Sequence, residues 1–204
     1  MVGLADIGLV LLGAILGIGS SGIFWWIQTH YWVPKIEFSE EVSRSNVQFI
    51  KSKVRYQIAI KNIGRRDAYN VKFRVRLRVK DILKSGGRRW DYIDIAIINK
   101  DFFYFSKDSM LLITPLPHKT ERFGGSMFPK EIRESYQNGT LTFDELFSVY
   151  DEIAIYVELI ATDRFSGGAK FFRSKDYSKP DVRQGIFKGK DHKVIHKQSS
   201  PANS

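Results

Sequence analysis

The sequence predicts a mainly β protein, an antiparallel β-sandwich with a short helical insertion, preceded by one N-terminal transmembrane helix. Three observations predict it. An uncharged run of 21 residues extends from Ile7 to Ile27. Behind it, short runs of alternating apolar and polar residues recur between clusters of Gly, Asn, Asp and Pro. Helical signals are confined to residues 129–150.

The composition supports a folded chain. Of 204 residues, 43% are hydrophobic and 26% charged, which excludes a disordered polymer. There is no cysteine, so disulfide frameworks, thiolate metal sites, iron–sulfur clusters and cysteine nucleophiles are excluded together. Asp6 is the sole charged side chain among the first 32 residues, so the remainder carries 32 basic against 21 acidic groups. The basicity belongs to the part behind the apolar run.

Residues 1–6 form a short tail and 7–32 the helix with its aromatic belt. At about 1.5 Å per residue, 21 residues span roughly 31 Å, which matches a hydrocarbon core of about 30 Å. A cleaved signal peptide would need a basic n-region and small residues at its end, whereas this run leads into Phe24-Trp25-Trp26. Trp25, Trp26, Tyr31 and Trp32 fall where the helix leaves the hydrocarbon, and such amphipathic rings prefer the headgroup layer. Pro34 cannot continue the helix, which sets its end at Tyr31 to Val33. Lys35 and Arg44 follow the span closely, and positive charge at that end places the soluble domain on the cytoplasmic side. Gly13, Gly17 and Ser21 share one helix strip at i, i+4 spacing and offer a face for a homodimer; frequent glycine in membrane helices explains the same spacing without one.

Residues 33–190 are read as the β-domain. Its clearest strands are Val54 to Lys61 and Val71 to Lys80, joined through the turn Asn62-Ile63-Gly64-Arg65-Arg66-Asp67 and read as a hairpin. Ser85-Gly86-Gly87 breaks the chain, Trp90 to Ile98 forms the next strand, Asn99-Lys100-Asp101 a turn, and Met110 to Thr114 a shorter strand before Pro115. Pro129 suits a helix N1 position, and Thr142-Phe143-Asp144-Glu145 has the capping-box form, so the insertion at 129–150 holds two short helices. Asn138-Gly139 either ends the first of them or makes a hairpin turn. Glu152 to Thr162 and Ala169 to Arg173 return to strand alternation, and residues 191–204 read as a disordered polar tail.

The stretch Ile58 to Ala68, a strand followed by Asn62-x-Gly64 and then Asp67-Ala68, resembles CARDB-type immunoglobulin-like modules over residues 54–79. The resemblance implies an immunoglobulin-like sandwich with a binding or architectural role, and it implies no site residues. In that family the two strands can lie in opposite sheets, which conflicts with the hairpin.

Lys72, Arg74, Arg76, Arg78 and Lys80 alternate with Val71, Phe73, Val75, Leu77 and Val79, so a strand carries all five cations on one face. Four intervals of about 6.6 Å make a row about 26 Å long. Its counterpart is either acidic neighbours in the sheet, anionic lipid headgroups, a protein partner or a small anionic ligand; equally, the row is a solvated face that protects an edge from aggregation. Nucleic acid is disfavoured because the aromatic residues alternate inwards instead of offering a stacking platform.

No catalytic constellation is legible and the sequence predicts no enzyme, no cofactor and no metal. His192 and His196 sit in the polar tail. The stretch Gly185 to Asp191 lacks the spacing and hydroxyl of a phosphate loop. Asp144 and Glu145 read as helix N-terminal charge.

Overall fold

A computed structural model describes residues 3–30, 33–48, 52–82, 89–164, 167–188 and 193–195. In chain order the elements are α1 (Leu4–His30), β1 (Ile36–Phe38), β2 (Val42–Asn46), β3 (Val54–Asn62), β4 (Ala68–Lys80), β5 (Trp90–Ile95), β6 (Asp101–Phe105), β7 (Met110–Ile113), α2 (Lys130–Gln137), α3 (Phe143–Val149), β8 (Ile153–Asp163), β9 (Ala169–Arg173), β10 (Val182–Gln184), β11 (Ile186–Phe187) and β12 (Val194–Ile195). The chain is mainly β with an N-terminal apolar helix.

α1 is long and apolar enough to cross a membrane, and no part of its apolar window is buried against the domain. Trp25 and Trp26 stand exposed on it, and Trp26 stacks on His30 with ring centroids 5.4 Å apart. Gly13, Gly17 and Ser21 also lie exposed along one strip. Tyr31 and Trp32 lie outside the described residues, as do the Ser85-Gly86-Gly87 break and both tail histidines.

Among the described residues the strands form two five-stranded sheets and one two-stranded pair. In the first sheet β3 is central: β1 and β2 share one edge of it, β7 takes the other, and β10 adds parallel to β2. In the second, β4 is central, with β5 and β6 sharing one edge and β8 then β9 on the other. Ile58 and Ile60 from β3, Val75 and Leu77 from β4 and Ile155 and Val157 from β8 are fully buried in one hydrophobic cluster. The apolar phase of β4 behaves as its period demands: Val71, Val75, Leu77 and Val79 are fully buried and Phe73 nearly so.

The hairpin between the two long strands is corrected. β3 and β4 belong to different sheets, so residues 63–67 carry the chain from one sheet to the other. The start of β4 finds its partners elsewhere, with Ala68 opposite Phe105 on one side and Asp163 on the other. A second correction concerns Asp101, read as part of a turn, which opens β6. A third concerns the tail: Val194–Ile195 pairs with Ile186–Phe187, while 191–192 and 196–204 lie outside the described residues.

The insertion holds α2 and α3. Pro129 occupies the N-cap of α2 and not N1, and Asn138-Gly139 ends that helix, with Gly139 at φ 70°. At α3 the Thr142 hydroxyl accepts from the Glu145 amide at 3.3 Å while the Glu145 carboxylate accepts from the Thr142 amide at 2.9 Å, a reciprocal capping box. Phe143, Leu146 and Phe147 bury the apolar face of α3. Tyr177 ties the two sheets: its backbone pairs with Ile155 of β8, and its hydroxyl donates to the Ser39 carbonyl, between β1 and β2, at 2.6 Å.

Candidate functional site

The five cations of β4 lie on its outward face, with Lys72 and Arg74 exposed and Arg76, Arg78 and Lys80 half-buried. Flanking strands supply carboxylates in register. Arg76 stands opposite Asp94 of β5; its Nε donates to Asp94 Oδ1 at 2.9 Å, and its Nη1 lies 3.4 Å from Glu158 Oε1 on β8. Arg74 Nε lies 3.8 Å from the other oxygen of Asp94. Arg78 pairs with Asp176 at 2.9 Å and covers the Trp90 ring at 4.3 Å, while Lys80 pairs with Glu152. On the neighbouring strand Arg173 lies 4.1 Å over Tyr156 and also binds Asp176. The face is therefore a lattice of alternating charge with Trp90, Tyr92 and Tyr156 set into it. Each cation–carboxylate contact lowers the like-charge repulsion along the row.

Lys72 makes no ion pair within 4.0 Å among the described residues. It borders a surface cleft of 320 Å³ where the edge of β4 passes from β5 to β6, beside Arg74, Lys100, Asp94, Asp101 and Glu158. Cations and carboxylates are mixed there, so the cleft does not present a single sign of charge.

A second charged surface lies at the end of the domain that receives α1. The Lys35 carbonyl accepts from the amides of Ile63 (2.8 Å) and Gly64 (3.1 Å). Asn62, fully buried, organises this turn: its side-chain amide donates to the Arg66 carbonyl (2.8 Å) and the Phe105 carbonyl (3.2 Å), and its side-chain oxygen accepts from the Gly64 amide (3.1 Å). A Cβ on Gly64 would collide with the Lys35 backbone nitrogen and lie 2.6 Å from the Val33 carbonyl oxygen, so the tether's exit requires glycine here. This is the physical content of the Asn-x-Gly spacing.

Three loops meet at this end around a cleft of 390 Å³ bordered by Arg65, Arg66, Tyr69, Lys107, Asp163 and Arg164. Asp67 holds the 106–109 loop through the Lys107 amide at 2.7 Å, and the buried Asp163 faces Arg66 Nη1 at 3.8 Å. Lys35, Arg65, Lys107 and Arg164 are exposed. Beside them Tyr69 meets the exposed rings of Phe103 and Tyr104 edge-on, at 6.1 and 5.4 Å.

Elsewhere, titratable groups serve the fold. Asp144 accepts from Arg44 Nε at 2.6 Å and from the Tyr56 hydroxyl at 2.9 Å, which fixes α3 to β2 and β3; burial, then the Asp144 charge, push the Tyr56 phenol well above its usual range. Burial, then Lys119, hold His118 below its ordinary value. Among the described residues no cluster of three His, Asp or Glu side chains is placed to hold a metal.

The sequence located the β4 row and its outward phase but could not locate its partners. It placed the helix strip Gly13, Gly17 and Ser21, which is exposed along α1. It missed the loop surface at the tether end, because Arg65, Lys107 and Arg164 are about 40 to 60 residues apart and converge through long-range strand pairing. The Asn62-x-Gly64 spacing was the one available signal.

No family model matches the chain, and no curated protein matches it. Among solved structures the chain is similar to Spo0M, a sporulation control protein from Bacillus subtilis, at 13% identity and a TM-score of 0.32. The match covers 73% of this chain and 49% of that one, so the chain spans about half of that protein, and no role is taken from the likeness.

Proposed function

We propose that the chain is a single-pass membrane protein whose cytoplasmic domain, an immunoglobulin-like β-sandwich of the kind its Asn-x-Gly turn resembles, serves as a non-catalytic interaction or scaffold module. The observation that carries this reading is the direct hydrogen bonding of Lys35 to Ile63 and Gly64, which fixes the end of the apolar helix's connection to the domain. A tether held so closely presents the domain at the membrane without a long flexible linker.

The interaction surface is the outer face of β5, β4, β8 and β9. Arginine, tyrosine and tryptophan predominate at the energetic centres of protein interfaces, and Arg76, Arg78, Arg173, Trp90, Tyr92 and Tyr156 lie together here. With Arg74, Arg76, Arg78 and Lys80 already facing carboxylates, a folded protein partner suits this face better than a uniformly anionic one. Chemical crosslinking in native membranes tests this: a partner captured at Tyr92 and lost in Arg78→Glu supports it, and equal capture by both chains contradicts it.

Anchoring is tested by washing membranes at alkaline pH. The full chain should remain with the bilayer, and its release into the supernatant would contradict a spanning helix.

A further inference from the structure

We propose that the tether end of the domain rests on the headgroup layer of the bilayer that α1 enters, with Phe103 and Tyr104 in the interface and Arg65, Lys107 and Arg164 against anionic headgroups. The proposal rests on the anchored reading and names the partner of a surface that reading leaves unused.

Reach is the first argument. Lys35 lies five residues beyond His30, and a chain extends at most about 3.6 Å per residue, so Lys35 lies within roughly 18 Å of the end of α1. Gly64 is hydrogen-bonded to Lys35, and the turn holding Arg65 follows at once. The other loops join it through direct contacts: Lys107 through the Asp67 carboxylate, Arg164 through the Tyr69 ring at 5.6 Å, and Tyr104 through the Tyr69 ring. The whole surface is therefore tied to the segment that leaves α1, on the side of the domain nearest to it along the chain.

Chemistry is the second argument. Exposed Arg65, Lys107 and Arg164 outnumber the exposed acid of these loops, Asp108, while Asp67 and Asp163 are held inward by the hydrogen bond and ion pair already described. Phe103 is 78% exposed and Tyr104 48%. Aromatic rings beside cations form the pairing that the bilayer interface favours. Along the β4 row Arg74, Arg76, Arg78 and Lys80 face carboxylates.

The test exploits the lack of cysteine. A single nitroxide label at Ile63→Cys, exposed in the turn, and a control label at Asp151→Cys, just before the far end of β8, are placed on the full chain reconstituted into vesicles. Relative accessibility to oxygen and to a water-soluble nickel chelate reports depth. With phosphatidylserine present, the label at 63 should read as interfacial and that at 151 as aqueous. Phosphatidylcholine alone, or Arg65→Gln with Lys107→Gln and Arg164→Gln, should move position 63 towards water. The docking equilibrium should fall about fivefold per lost cation, roughly 100-fold for three. Arg74→Gln with Arg76→Gln and Arg78→Gln should leave the depth unchanged. The lipid comparison needs no substitution in the proposed surface, so it decides even if the triple variant misfolds. An aqueous signal at 63 in both lipids, with the chain still floating with the vesicles, overturns the docking and spares the anchor. Failure to float with the vesicles overturns both.

Discussion

The amide of Gly64 donates to the carbonyl of Lys35 at 3.1 Å, and this bond joins the turn between β3 and β4 to the segment that follows the apolar helix. Because a Cβ at Gly64 would overlap Lys35, Val33 and Pro34, the tether's path and the turn's shape are one steric problem.

Gly64→Ala should therefore destabilise the protein. Overpacking against backbone atoms costs typically about 1–3 kcal/mol, so the thermal midpoint of the detergent-solubilised chain should drop by several degrees. An unchanged midpoint would mean that residues 33–35 leave the turn freely.

Asn62→Asp should be more damaging than its size suggests. A carboxylate has no donor for the Arg66 and Phe105 carbonyls, and each buried group left unpaired costs about 1–3 kcal/mol. Denaturant titration should show the loss at neutral pH, and stability equal to the wild type would refute the hub assigned to Asn62.

Core polarity gives a blunter test. Ile58 and Val75 are fully buried in opposite sheets, so Asp at either buries an unpaired charge and should unfold the domain. Retention of the wild-type circular dichroism by both variants would contradict a core shared by the two sheets.

Alkaline pH should act through Tyr177. Burial pushes its phenol from 10.0 up to about 12. A folded value above the unfolded one means that its contribution is fully present below pH 10 and is lost as pH rises from 10 to about 12. Tyr177→Phe should flatten that decline without abolishing it, since burial holds Tyr150 near 12 as well. It should also cost about 1 kcal/mol at neutral pH, where the Ser39 carbonyl loses its donor. Parallel alkaline declines in the two proteins would rule out Tyr177.

What the sequence makes legible is periodic and local. The period of two in Val71 to Lys80 predicts which side chains are buried, and the Thr142/Glu145 spacing predicts the start of α3. What it hides is register. Nothing near Arg76 in the chain names Asp94 or Glu158, and the pairing of Ala68 with Phe105 and Asp163 turns an apparent hairpin into a crossing between sheets. Asp101 is hidden for the same reason, because the last residue of a turn-forming tripeptide joins a strand when Lys72 offers it a partner.

Anchoring by α1 with a cytoplasmic domain is tested most directly by impermeant maleimide labelling of intact cells, using Gly3→Cys and Asp151→Cys in the otherwise cysteine-free chain. Labelling at position 3 before permeabilisation, and at 151 only after it, is the expected result; labelling at 151 in intact cells would contradict the cytoplasmic assignment.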